Sequence, residues 1–87
     1  MEENRIREHY VFFGRVQGVG FRYRAKYVAN GWVRNDWDGT VEMEAQGTLE
    51  QLNQMLKLIN QGTYIQVEDL RRKTIPLDRE ERGFHVR

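Results

Sequence analysis

The 87-residue sequence has no cysteine, one proline and two histidines. Without cysteine there is no disulfide framework, no thiolate metal site and no thiol nucleophile. That absence fits a reducing compartment. No apolar run approaches the ~20 residues of a membrane span. The opening Met1-Glu2-Glu3-Asn4-Arg5 is charged and lacks the apolar segment of a secretory signal, so a cytoplasmic protein with no membrane partner is expected. Charge of one sign is also lacking: 14 Lys and Arg face 13 Asp and Glu, a net charge of +1. That balance argues against nucleic-acid binding through overall charge. Repeats, linkers and low-complexity tracts are missing too, so residues 1–87 read as one domain. A chain of this size buries somewhat more than ~60% of its unfolded surface, enough for one modest core.

What the chain does have is Gly14-Arg15-Val16-Gln17-Gly18-Val19-Gly20-Phe21-Arg22. Glycines let a backbone turn tightly and bring its N–H groups close to a ligand. A run of such N–H groups leading into a helix makes an anion site. Arg22 adds a planar cation suited to phosphate or carboxylate. The run is not a Walker loop, since no Lys-Ser/Thr follows its last glycine, and its spacing does not fit the dinucleotide fingerprint. The glycines alone fit a plain structural turn equally well; Gln17 and Arg22 beside them favour an anion cradle.

Hydrophobic spacing lays out the elements. Ile6 to Phe13 reads as a strand ending at Gly14. Phe21 to Asn30 reads as a helix with Phe21, Ala25 and Val28 on one face, closed by Asn30-Gly31. Trp32 to Asn35 is a short strand, and Asp36-Trp37-Asp38-Gly39 supplies a hairpin turn. Thr40 to Gln46 alternates, with Val41, Met43 and Ala45 facing inward and Glu42, Glu44 and Gln46 facing water. Thr48 and Gln51 form a capping box for a second helix with an apolar stripe of Leu49, Leu52, Met55, Leu56 and Ile59. Gly62 stops that helix, and Tyr64 to about Lys73 is the fourth strand, with Ile65 and Val67 on one face. Pro76 breaks the chain, Asp78 to Arg82 is a charged loop, Glu80-Glu81-Arg82 reads as solvated, and Phe84 to Arg87 is a short last strand. The order β-α-β-β-α-β predicts an α+β ferredoxin-like sandwich: an antiparallel sheet with two helices on one face, its first two strands parallel.

Other residue types carry plainer readings. An Asn before Asp-Gly most often makes an Asx turn, and Asp36 and Asp38 read as turn residues rather than an acid/base pair. His9 and His85 are isolated and read as surface or packed residues, so no metal and no cofactor are expected. Arg15, Arg22, Arg24, Lys26 and Arg34 could form a basic rim attracting an anion, although a solvated helix face explains Arg24 and Lys26 equally well. Trp32 favours core or hairpin packing over a base-stacking platform with Trp37. The aromatic pattern of RNA-binding ferredoxin-like sheets is missing, so no nucleic-acid partner is expected.

Together these motifs resemble the acylphosphatase family. Its signature is a G-x-V-Q-G-V-x-F-R loop followed by G-W-V-x-N and D-G-x-V-E. Gly14, Val16, Gln17, Gly18, Val19, Phe21 and Arg22 match the first; Gly31, Trp32, Val33 and Asn35 the second; Asp38, Gly39, Val41 and Glu42 the third. The resemblance implies metal-independent hydrolysis of the carboxyl–phosphate bond of small acyl phosphates, releasing inorganic phosphate. It also implies that Arg22 binds phosphate, with the backbone of Gln17, Gly18, Val19, Gly20, Phe21 and Arg22, and that Asn35 positions the attacking water. The alternative is a non-catalytic anion-binding or interaction domain on the same scaffold, such as the acylphosphatase-like domain of hydrogenase-maturation proteins.

Two departures stand out. Asn35 comes thirteen positions after Arg22, whereas related sequences have about five residues more, roughly 7.5 Å of helix. A crossover between parallel strands needs a dozen or more residues, so this one is tight. The shortening predicts either a domain-swapped dimer or a monomer with Asn35 displaced and activity reduced. Gln61-Gly62-Thr63-Tyr64 stands where many relatives have Gly-Pro and reads as loop variation without catalytic meaning.

Overall fold

The structure, a computed structural model, describes residues 4–16, 30–60 and 66–87. Five strands and one helix lie among them: β1 (Arg5–Arg15), β2 (Asn30–Asn35), β3 (Val41–Thr48), α1 (Leu49–Asn60), β4 (Gln66–Ile75) and β5 (Phe84–Val86). The strands form one sheet in the order β4-β1-β3-β2-β5. Strand β1 runs antiparallel to β3 and β4, and β2 antiparallel to β3, so β1 and β2 are parallel on either side of β3. The first four strands thus take the order expected of a ferredoxin-like sheet. The sheet is mixed rather than antiparallel, because β5 adds to the outer edge of β2 in parallel.

Where two helices are predicted, the described residues contain one. The helix expected over 21–30 falls outside them except for Asn30, and Asn30 is strand, not a helix end. Its side-chain oxygen accepts the Gly83 N–H at 3.1 Å, and the Gly31 N–H donates to the Gly83 carbonyl at 2.9 Å, tying β5 to β2. A Cβ on Gly31 would stand 1.9 Å from the Glu44 carbonyl oxygen, so close approach to β3 demands glycine there.

Alternation sorts the sheet into two faces. Tyr10, Phe12, Val33, Val41, Met43 and Ala45 are buried on one face, where Leu52, Met55 and Ile59 of α1 join the same core. The capping box forms as expected: the Thr48 N–H donates to Gln51 Oε1 at 2.9 Å and the Gln51 N–H to Thr48 Oγ1 at 3.1 Å. Leu49 departs from the expected stripe, being 53% exposed at the first turn. In β4 the ladder slips opposite Phe13 and Gly14, so that Leu70 pairs with Phe12 and Val67 with Gly14. This bulge puts Val67 and Leu70, three positions apart, on the core face together. The helix stop at Gly62 and the strand residues Tyr64 and Ile65 lie outside the described residues.

The other face carries no helix among the described residues, yet it is not simply wet. Arg7 is buried there, donating to Gln46 Oε1 at 3.2 Å, to Glu44 Oε1 at 3.0 Å and to Glu81 Oε1 at 3.3 Å. The Gln46 amide brackets Asp78, donating to its carbonyl at 2.7 Å and accepting its N–H at 3.0 Å. Residues following β4 therefore fold across this face. Glu81 is buried against Arg7 rather than solvated, because Arg7 neutralises it. Trp32 is also buried on this face and is not part of the core. Its ring lies under the Arg87 and Arg34 guanidiniums at 4.9 and 5.7 Å, with His9 edge-on at 6.3 Å.

Candidate active site

Parallel β1 and β2 end at the same edge of the sheet. Phe12, Val41 and Asn35 stand in one row across β1, β3 and β2. Strand β3 starts at Val41, so it offers β1 no partner beyond Phe12, and Phe13, Gly14 and Arg15 pair only with β4. The tail of β1 and the β2–β3 turn flank this end of the sheet. The row places the Phe12 and Asn35 Cα atoms about 10 Å apart, two strand spacings.

The tail of β1 aims the chain into its next segment. Gly14 has φ +117°, and a Cβ there would lie 2.2 Å from the Gln66 carbonyl oxygen, so a side chain is excluded twice. Val16 then buries its side chain in the core and anchors the exit from the strand. Gln17, Gly18, Val19, Gly20, Phe21 and Arg22, the expected anion cradle, follow directly and lie outside the described residues, as do Arg24 and Lys26 of the expected basic rim.

Asn35 is exposed at the last rung of the β2–β3 ladder, on the same face as buried Val33. Its side-chain amide makes no hydrogen bond to another described residue. The Asx role falls to its neighbours. Asp38 Oδ1 accepts the Thr40 N–H at 3.0 Å and the Thr40 hydroxyl at 2.6 Å. These two bonds hold the Asp38 carboxyl below its ordinary value. The Asp36 N–H donates to the Thr40 carbonyl and the Gly39 N–H to the Asp36 carbonyl, at 2.9 and 3.2 Å, closing the turn. Trp37 at its tip is 98% exposed.

Arg34 is engaged by two carboxylates. Its Nε donates to Asp36 Oδ1 at 2.9 Å and its Nη2 to Glu42 Oε1. Hydrogen bonds to Asp36 and then Glu42 push the guanidinium further into its charged form. Behind it, His9 faces two carboxylates, Glu42 Oε2 at 2.9 Å from Nε2 and Glu44 Oε2 at 3.0 Å from Nδ1. Burial pushes the Glu44 carboxyl up, but the bonds from His9 and Arg7 outweigh it and hold the carboxyl below its ordinary value. The alternation of β3 signals that these acids share a face; nothing local signals the partners they find there.

The family model described as Acylphosphatase matches residues 8–86. An acylphosphatase of Clostridium acetobutylicum is 44% identical over 79 residues, covering 84% of this chain and 87% of that protein. Among solved structures, the acylphosphatase from Bacillus subtilis superposes with a TM-score of 0.79 at 29% identity, covering 93% of this chain and 97% of that one. An acylphosphatase from Coxiella burnetii gives a TM-score of 0.80 at 27% identity, covering 97% and 94%.

Proposed function

This chain belongs to the acylphosphatase family, and on that premise we propose that it hydrolyses acyl phosphates to a carboxylate and inorganic phosphate without a metal. The observation that carries the proposal is the meeting, at one sheet edge, of an unengaged Asn35 amide and the tail of β1 that leads into the glycine run. Arg22 and the backbone N–H groups of Gln17 to Arg22 clamp the phosphoryl oxygens. The Asn35 amide holds a water in line with phosphorus. The water oxygen bonds to phosphorus as the bond to the acyl oxygen breaks, the carboxylate departs with the electron pair, and both protons of the water stay with the phosphate released, which exchanges one of them with solvent.

The chemistry suits these residue types. A carboxylate is a good leaving group, so no strong general acid is needed. Phosphoryl transfer depends chiefly on position and charge stabilisation. An amide is too weak a base to deprotonate water but orients one well. In the same reading, residues 1–87 form a single cytoplasmic domain, and the connection between Arg15 and Asn30 carries a second helix on the core face. The shortened connection makes the chain either a domain-swapped dimer or a monomer of lowered activity.

Release of inorganic phosphate from acetyl phosphate, measured with a chelator present, tests the activity. Turnover with competitive inhibition by inorganic phosphate is expected, because the product fits the same cradle. Phosphate binding without turnover would turn the domain into an anion-binding module. Absence of both turnover and phosphate binding would remove the activity from this chain.

A further inference from the structure

We infer that Arg34 is a positioning residue for Asn35, acting by clasping the turn across it; the inference rests on the role given to Asn35 above. Asn35 is the last rung of its ladder with β3. On its other side β5 has already run out: the Arg87 N–H donates to the Val33 carbonyl at 2.9 Å, and the paired residues of β2 with β5 stop at Val33. Strand ends held from one side open readily. Among the described residues, the Asn35 backbone is therefore held by a strand on one side only, although water positioning demands exact placement.

The clasp supplies the missing support. Arg34 and Asp36, the two chain neighbours of Asn35, bond to each other at 2.9 Å. Successive strand side chains alternate faces, so this bond lies behind Asn35 and leaves its amide on the core side. Arg34 is held in turn by Glu42 on β3 and by the Trp32 ring, 5.7 Å away. Asp36 is held by the turn, its N–H on the Thr40 carbonyl at 2.9 Å and its Oδ2 accepting from the Thr40 hydroxyl at 3.4 Å. A planar guanidinium with separate donors on Nε and Nη2 can bridge two carboxylates at once, which an ammonium cannot do with fixed geometry. The bridge ties the backbone on both sides of Asn35 to β3.

Exposed ion pairs contribute little to stability, so the clasp matters to the fold far less than to position. A displacement of about an ångström costs on the order of a hundredfold in rate, and partial loosening costs correspondingly less. The experiment is a double-mutant cycle on acetyl phosphate hydrolysis with Arg34→Met, Asn35→Ala and the pair, together with phosphate affinity and urea midpoints. Arg34→Met is expected to lower kcat about tenfold while KM, phosphate affinity and the urea midpoint stay close to the parent. In the Asn35→Ala background, Arg34→Met is expected to lower kcat no further, because it acts only through the amide already removed. Equal fold-losses in both backgrounds would overturn the inference, as would an unchanged kcat in Arg34→Met. A parent without turnover would defeat the hydrolase reading itself, and the inference would fall with it. A normal parent and an Asn35→Ala of full activity would remove the role of Asn35 and leave Arg34 nothing to position.

Discussion

Arg7 and Glu81 form an ion pair of 3.3 Å across 74 positions of sequence, with side chains only 4% and 10% exposed. Buried pairs of this kind gain little over apolar residues, but removing one partner strands the other's charge. Arg7→Ala strands Glu81 and deprives Glu44 and Gln46 of a donor, so urea unfolding is expected to show a loss of about 3–5 kcal/mol. Glu81→Gln keeps an acceptor for Arg7 and is expected to cost about 1 kcal/mol. Equal losses in the two variants would contradict this asymmetry.

Glu44 gives the fold a sense of pH. Its carboxyl is held below the ordinary 4.5, so the folded form binds its proton less readily than the unfolded chain. The stabilisation is therefore full above that ordinary value and drains away as pH falls through the lower, folded one. Urea midpoints measured from about pH 6 down to about pH 3 should fall in the parent and fall less steeply in Glu44→Gln.

The two expected catalytic residues should divide their labour. Arg22→Ala is expected to damage both phosphate affinity and turnover, because a charged clamp acts on substrate and transition state alike. Asn35→Ala is expected to lower kcat about a hundredfold and leave phosphate affinity nearly intact. Asp38 bonds only within the turn in the contacts described above, so Asp38→Asn is expected to spare the chemistry. Calorimetric titration with phosphate beside steady-state kinetics separates these outcomes.

The short connection between β1 and β2 has its own test. Because Asn30 already belongs to β2, a flexible five-residue insertion belongs between Ala29 and Asn30, not after Asn30. Relief of strain predicts that the insertion variant is more monomeric than the parent by light scattering, or has a higher kcat. A parent that is monomeric and no less active than the variant rules the strain out.

Much of the sheet was legible because burial leaves a period in the chain. Val41, Met43 and Ala45 alternate with Glu42, Glu44 and Gln46, and the structure divides them between two faces in that order. Thr48 and Gln51 cap α1 as their spacing requires. Local pattern failed where a residue's environment comes from far along the chain. Gln46 is 2% exposed because Asp78 arrives on top of it, and Glu81 is hidden because Arg7 waits beneath. The bulge that unites Val67 and Leu70 breaks the very alternation by which a strand is recognised. At the site, Asn35 was singled out by the resemblance to the acylphosphatase motifs rather than by local pattern, and its bracketing by Arg34 and Asp36 emerged only from the side-chain geometry.

The place of β1 in the sheet has a consequence for assembly. It is the earliest strand in the chain, yet it lies between β3 and β4, and its pairing with β4 joins Arg7 to Ile75. Neither edge of β1 can close by a local hairpin. While the chain is being synthesised, this strand, with Tyr10 and Phe12 of the core, waits with both its hydrogen-bonding edges bare until distant segments emerge. Such topologies fold slowly and leave sticky edges on display meanwhile. Charged Glu68, Asp69, Arg71, Arg72 and Lys73 make the late-arriving β4 an edge that discourages a neighbouring chain from taking its place.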